Sequence, residues 1–444
     1  MNRSPWYGRI GPGLITACVV IGPGSIVTSS SVGAKYGYSM LWIVLVAVIF
    51  QLAFMTIASR LGSIQSSSIC DMLREKGKSN WAIAVGICVF FIAAAFQSGN
   101  NMGIAAVFEE LFPPEDSKTS GPNYLIPALV VIFNSCAIIF LFAFRNLYQL
   151  VERMMMFLVA LMLLSFTINL VTLRPKLGDV ARGFIPRFDL VDISVLGLIG
   201  TTFVITAAFY QAYLVRQKGW SLDDVKAGST DARIGAGIMG TITIMLMATA
   251  AAGLHTESGA SVTLTNPIQI ATALEPTFGS TGRWIFCLGL FSAAYSSFLV
   301  NSMIGGFVLS DGLGLGCEAT DRWPRVFTSL SLLTGMAVAI AAIQFNFDRA
   351  PTIIAAQAVT VVGSPLVAIV LVWLASDKKW MGRPLKWFSY LGIALLVSMA
   401  LRTAFVTLPE KLESYSNAAS KPAPVVKNAD ASERSETGSG QSEQ

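Results

Sequence analysis

The stretch Val20–Ser31, VIGPGSIVTSSS, lies inside the first long apolar segment and decides how the rest of the chain is read. Gly22, Pro23 and Gly24 fall where a membrane-crossing helix would be continuous, and Ser25, Thr28, Ser29, Ser30 and Ser31 follow at once. Proline lacks the backbone donor that a helix interior needs, and its ring crowds the preceding turn. In hydrocarbon, each backbone group freed in this way is costly unless something pairs with it. Two readings stand open: a kink repaired by neighbouring helices, or a discontinuous helix whose bare backbone lines a central site.

Outward from this stretch, apolar segments recur along most of the chain. Of its 444 residues, 54% are hydrophobic and 13% charged, and the mean hydropathy is +0.63. Soluble domains carry about 25% charged residues. Runs close to the ~20 residues that cross a bilayer lie at 10–34, 40–62, 80–108, 123–145, 153–173, 192–215, 232–253, 282–309, 324–344, 351–376 and 386–407. That is an all-α polytopic membrane protein with about eleven spans. The alternating segments of about 10 residues that mark a membrane β-barrel are absent. The segment 264–275 reads as a short extramembrane helix. The opening MNRSPWYGRIGPGLITA has the look of a signal peptide, but a second span follows at once, so it is expected to be retained.

Charge supplies the orientation. With the N-terminus inside, the inner loops hold Arg60, Arg74, Lys76 and Lys78, then Arg145 and Arg153, then Arg216, Lys218 and Lys226. Arg322 and Arg325 follow, then Lys378, Lys379, Arg383 and Lys386. Positive loops face the cytoplasm, so the N-terminus is expected in the cytoplasm and the C-terminus on the other side, most simply of the cell membrane. One outer loop, with Arg174, Lys176, Arg182 and Arg187, breaks the pattern. The tail from 408 to 444 is polar, rich in Pro, Ser and Ala, and is expected to be disordered.

The same inventory excludes several functions. Cys18, Cys70, Cys88, Cys136, Cys287 and Cys317 are scattered without CxxC spacing, so neither a disulfide frame nor a thiolate metal site is indicated. Basic residues sit between spans, which leaves nucleic-acid binding without support. No Walker motif, Ser–His–Asp set or metal-hydrolase spacing occurs, so neither an enzyme nor a cofactor is called for. The partners expected are the lipid bilayer and a small ion or solute; nothing in the sequence speaks to an oligomeric state.

A second polar interruption, GTTFVITAAFYQAYLV at Gly200–Val215, opens the second half of the chain. Paired interruptions at matching places in two halves are the sequence mark of an inverted-repeat transporter. Here the residues resemble a known family. GPGLITACVVIGPGSIVTSSSVGAKYGYSMLW, at 11–42, is similar to the first span of the natural-resistance-associated macrophage protein (Nramp) metal transporters, whose pattern runs GPG…DPGN…AGxxxGYxLLW. FRNLYQLVERM (144–154), AAYSSFLVNSMIGGFVLSDG (293–312) and RAPTIIAAQAVTVVGSP (349–365) resemble three further family segments, over about 400 residues in all. The resemblance implies a leucine-transporter-type fold: two inverted five-helix repeats, about 10–173 and 192–376, plus an extra helix at 386–407. Together they form one transporter domain, 1–407, with spans one and six broken about a central site.

At the positions that match the family's metal-binding residues stand Gly22, Ser25, Thr201 and Val204. Gln357 matches a glutamine that is kept. Its span-six histidines correspond to Thr206 and Gln211, and its acidic pair in span three to Gln97 and Asn100. All are neutral. No Asp or Glu precedes Asp71, and the acids cluster in loops and at span ends. Divalent cations stripped of water normally call for carboxylates, and soft transition metals for thioether or imidazole. The resemblance implies a divalent metal substrate. A metal held by Ser25, Thr201, Gln357, carbonyls near Gly22 and Val204, and retained water would be a hard, largely hydrated ion such as Mg²⁺ rather than Mn²⁺ or Fe²⁺. Gln97, Asn100, Thr206 and Gln211 cannot titrate, which weakens proton coupling. They form either a polar pathway or hydrogen-bonding glue between helices. The alternatives on the same fold are a transporter of a non-metal solute or anion, drawn to half-helix N-termini, and a transport-silent receptor or scaffold.

Other residues read more plainly. His255 is expected in a solvated loop. Met154, Met155 and Met156, and the close pair Gly33 and Gly37, read as packing. Tyr210, Tyr213 and Tyr295 are either aromatic gates or ordinary bundle packing.

Overall fold

In the computed structural model, the described residues are 11–112, 124–143, 147–187, 192–255, 268–376 and 380–407, apart from 66 and 346, together with 378 and 409. Their regular elements are all helices: α1 (Pro12–Val20), α2 (Pro23–Tyr36), α3 (Leu41–Ile64), α4 (Ile69–Glu75), α5 (Ser79–Leu111), α6 (Leu125–Ala143), α7 (Leu147–Leu173) and α8 (Leu177–Arg182). Then come α9 (Ile193–Thr202), α10 (Ile205–Gln217), α11 (Val225–Leu254), α12 (Ile268–Gly312), α13 (Arg322–Gln344), α14 (Arg349–Ser376) and α15 (Arg383–Arg402). Among the described residues, ten spans are long and apolar enough to cross a membrane, with α9 and α10 counted together, and the bent pair α1–α2 makes eleven. The first and the sixth spans are thus each a pair of half-helices, as expected. The tail from 408 to 444 lies outside the described residues, 409 apart.

The half-helices form the interior. Every residue from Gly11 to Ser30 is buried, as is every residue from Thr201 to Val215. Large apolar side chains on the periphery, among them Ile139 on α6, Phe157 and Val171 on α7 and Leu391 on α15, are instead exposed. That inversion of a soluble surface is what hydrocarbon solvent permits, and packing between membrane helices then relies on close approach at small residues. Gly62 backs onto the α10 backbone at Ala212, and Gly33 onto the Met247 carbonyl of α11. Gly33 therefore packs as its spacing suggested, whereas Gly37 ends α2 with φ at +59°, a conformation that favours glycine.

One expectation needs correction. Residues 268–275 belong to one continuous 45-residue helix, α12, rather than to a separate short one; residues 264–267 lie outside the described set. Two acids at the span ends prove to be buried in the bundle. Asp231 lies inside α11 and Asp311 inside α12, at 0% and 1% exposure. The helices extend beyond the apolar windows by several residues, and they carry these carboxylates into the bundle.

Candidate functional site

The first break is local chemistry made visible. α1 ends at Val20 and α2 begins at Pro23, with axes bent by 55°. Pro23 occupies the first turn of α2, where its missing N–H is no loss. Its ring packs into the notch left by Gly103 on α5. The carbonyls freed by the break find hydroxyl donors: Ser297 Oγ of α12 donates to Val19 O at 3.1 Å, and Ser25 Oγ donates to Val20 O. A break that kept those oxygens bare in apolar surroundings would be costly.

The second break falls at Phe203–Val204, where neither Gly nor Pro stands. The two breaks meet. Ser25 Oγ lies 3.4 Å from Thr201 O, and the hydroxyls of Thr28 and Thr201 are 3.0 Å apart. Side chains from three scaffold helices close round this point. A Cβ added at Gly22 would lie 2.7 Å from Ser297 Oγ and 3.2 Å from Asn100 Oδ1; one at Gly24 would lie 2.5 Å from Gln357 Nε2. The glycines of the quoted stretch are therefore there for access: any side chain would displace Ser297 and Gln357. Gln357 is fully buried, and its amide oxygen and nitrogen have no hydrogen-bond partner among the described residues. Orphaned buried polar atoms of this kind ask for an explanation, an unseen water or ion among them.

The structure thus gathers Gly22, Ser25, Thr201, Val204 and Gln357 at one buried point, with Pro23 and Gly24 forming the break. Of the four residues of the polar-pathway reading, two form a pair and two stand apart. Asn100 Nδ2 donates to Gln97 Oε1 at 2.7 Å, and Gln97 Nε2 to Phe298 O at 2.8 Å. The stripe continues outward through Asn101 to Asn134 Nδ2, 2.6 Å from Asn101 Oδ1. Thr206 Oγ1 has no partner, and Gln211 lies elsewhere, against Thr16. Sequence reasoning passed over Ser297, although its segment had been matched, and it placed Asn100 in the pathway rather than beside the break.

It also missed two carboxylate clasps. Gly11, which caps α1, offers no side chain to the first amides of that half-helix. Asp231 supplies the cap from α11: Oδ1 accepts from Gly11 N at 2.8 Å and Oδ2 from Gly13 N at 2.5 Å. An anion at a helix N-terminus is favoured by both hydrogen bonds and dipole. Gln211 of α10 stands between, touching Thr16 and lying 3.3 Å from Asp231 Oδ2. The second clasp is Asp311. It accepts from Tyr213 on α10 and from Ser68 Oγ at 2.8 Å, and Arg74 of α4 lies 3.3 Å away. Tyr213 is therefore a hydrogen-bonded tether, and it stacks on Tyr210 with ring centroids 5.6 Å apart. Beside the second clasp, on α4, burial pushes the Asp71 carboxyl up while its hydrogen bonds to Arg74 and Ser68 pull it down, and the balance leaves it below its ordinary value. No group of three His, Cys, Asp or Glu residues close enough to hold a metal occurs among the described residues.

Comparison with known proteins places this architecture. Residues 13–408 match the family described as natural resistance-associated macrophage protein-like. The chain belongs to the Nramp family. Among its relatives is a protein of Chromohalobacter salexigens named divalent metal cation transporter MntH, 23% identical over 406 residues, covering 89% of each chain. A like-named protein of Pectobacterium carotovorum is 24% identical over 411 residues, 90% of this chain and 94% of its own. In structure, the manganese transporter of Eremococcus coleocola, solved with an aromatic bis-isothiourea compound, superposes with a TM-score of 0.74 at 17% identity, over 90% of this chain and 86% of that one. The likeness in structure carries the fold.

Proposed function

We propose that this Nramp-family chain is a secondary transporter of a divalent metal cation, working by alternating access about the paired breaks. Its cargo is a hard ion that keeps part of its water, Mg²⁺ ahead of Mn²⁺ or Fe²⁺. The transporter names of its relatives support the class of cargo. The observation that carries the choice of ion is Gln357, an amide buried without a partner against Gly24. Around it stand only neutral groups: the hydroxyls of Ser25, Thr201 and Ser297, the Asn100 amide and the backbone at Gly22 and Val204. Oxygen ligands without charge suit a small ion that sheds water reluctantly; a site selecting Mn²⁺ or Fe²⁺ would draw on imidazole, thioether or carboxylate. Hydroxyls that already donate to carbonyls keep lone pairs for an ion or its water. With no titratable side chain at the meeting point, transport proceeds without a stoichiometric proton. The N-terminus and half-helices α1 and α10 face the cytoplasm, by the charge of the loops.

The test is reconstitution of the full chain in liposomes, with Mg²⁺, Mn²⁺ and proton fluxes followed separately. Mg²⁺ influx without matched acidification is the expected result. Mn²⁺ flux accompanied stoichiometrically by protons would overturn the reading. Failure to move either ion, with thermal stabilisation by a small anionic solute, would favour the non-metal alternative.

A further inference from the structure

The pair Gln97–Asn100 fixes which end of a buried amide faces the first break. The orientation begins at an atom whose role is settled. Phe298 O, a backbone carbonyl of α12, can only accept, so the Gln97 atom 2.8 Å from it is the NH₂ nitrogen. Gln97 Oε1 is thereby turned toward Asn100 and accepts from its Nδ2 at 2.7 Å. Asn100 is left with Oδ1 at its other end, and no donor among the described residues reaches that oxygen. Both side chains are buried, and Gly335 of α13 backs onto the Gln97 stem, which hinders it from turning. Asn100 Oδ1 lies 3.2 Å, and Ser297 Oγ 2.7 Å, from the place that a Cβ on Gly22 would fill.

From this arrangement we infer that Asn100 Oδ1 is an oxygen ligand of the transported cation, and that Gln97 is a positioning residue that sets the sign of charge the site accepts. An amide is neutral and has two faces, one of acceptor and one of donor character. Left free, it serves a cation and an anion equally. Here its donor end is committed away from the break, as are the protons of two neighbouring hydroxyls: Ser297 Oγ donates to Val19 O and Ser25 Oγ to Val20 O. Three neutral side chains therefore present lone pairs to one buried point. Without a carboxylate, this shared orientation is what makes the site cation-seeking. The inference rests on the proposed reading that the chain carries a divalent cation, and adds the residues that make a neutral site prefer one.

The test uses the purified full chain in detergent, titrated with Mg²⁺ and with Mn²⁺. The apparent affinity is read from the ion-induced rise in unfolding temperature, and the ion-free unfolding temperature controls for folding. Asn100→Leu should weaken Mg²⁺ about tenfold, the loss of one ligand. Gln97→Met or, should that variant not fold, Gln97→Ala frees the Asn100 amide to turn its NH₂ inward onto Ser297 Oγ. The ion must then undo about one hydrogen bond, so its affinity should fall about fivefold. Asn100→Asp supplies two equivalent oxygens and has no orientation to lose. Adding the Gln97 substitution to Asn100→Asp should therefore not lower the affinity of that variant. The same fivefold loss in the Asp background would make Gln97 merely structural and overturn the proposal, as would an unchanged affinity in Asn100→Leu. If Mn²⁺ stabilises the wild-type protein at lower concentration than Mg²⁺ and the variants follow the same pattern, the proposed choice of ion falls while this inference stands. If neither ion stabilises the wild-type protein, both fall.

Discussion

Asp231→Asn is the sharpest probe of how α1 is held. The carboxylate accepts two hydrogen bonds from the first amides of the half-helix, at 2.8 and 2.5 Å. An amide of the same shape keeps one acceptor and turns an NH₂ group onto the other N–H. Hydrogen bonds to a charged partner are worth about 1.5–3 kcal/mol each, so loss of one weakens the docked position of α1 by about 2–3 kcal/mol. At 1.4 kcal/mol per tenfold, the population with α1 swung away rises by about 30- to 150-fold. Cys18 reports on it: it sits on α1, fully buried, with Sγ facing the Met155 carbonyl of α7. In a protein keeping only Cys18, maleimide labelling under fast reclosure tracks the open population, so the Asn variant should label faster by that factor. A second protein keeping only Cys287, buried on scaffold helix α12, should label at an unchanged rate. Cys18 labelled at the wild-type rate, or both thiols accelerated alike, would refute the clasp.

Three further outcomes follow from the same geometry. Gln357→Ala should lower Mg²⁺ flux about tenfold, the effect of one ligand worth about 1.4 kcal/mol, while Gln357→Glu, by placing a carboxylate against Gly24, should raise Mn²⁺ flux relative to Mg²⁺ in the liposome assay. Gly103→Val fills the notch that receives the Pro23 ring, and overpacking of this kind costs about 1–3 kcal/mol, to be read as a lowered unfolding temperature in detergent. Tyr213→Phe removes a donor from buried Asp311 and should cost about 1–3 kcal/mol; an unfolding temperature equal to wild type would show that the tether carries no stability.

How much of this was legible before the structure depends on the physics of each feature. The first break announces itself because Pro23 lacks a donor and Gly22 and Gly24 lack side chains, all of which can be read from composition. The second shows only as a polar stretch, Gly200–Val215: Phe203 and Val204 are ordinary helix residues, and the likeness to a family was needed to fix the break within it. The buried carboxylates were hidden by the way hydropathy is read. A window of apolar residues stops at the first charge, so Asp231 and Asp311 fall just outside spans drawn at 232 and 309, whereas the backbone continues helical through both. Ser297 gave no signal of its own, since a hydroxyl in a row of small residues has a partner only once α12 lies beside Val19. The basic loop was visible as an anomaly of sign.

Placing the carboxylates at the ends of the half-helices rather than at their meeting point changes what must cross the membrane field. A carrier with an anionic site moves buried charge when it returns empty, unless protons neutralise it first. Here the groups at the breaks are neutral, and the buried acids, Asp231 and Asp311, belong to α11 and α12 rather than to the half-helices. On the proposed reading the empty carrier therefore reorients without moving charge, and the whole electrical work falls on the loaded step. An ion of charge two crossing the full field meets about 4.6 kcal/mol per 100 mV, at about 2.3 kcal/mol per unit charge. Solid-supported membrane recordings separate the two steps. Addition of Mg²⁺ should produce a charge displacement, and voltage steps in its absence none beyond that of protein-free membranes. Ser25→Asp, which places a charge on the half-helix α2 itself, should create a displacement in the absence of the ion. A displacement of that kind in the wild-type protein would mean that a charged group travels with the breaks, and the neutral-site argument would fall.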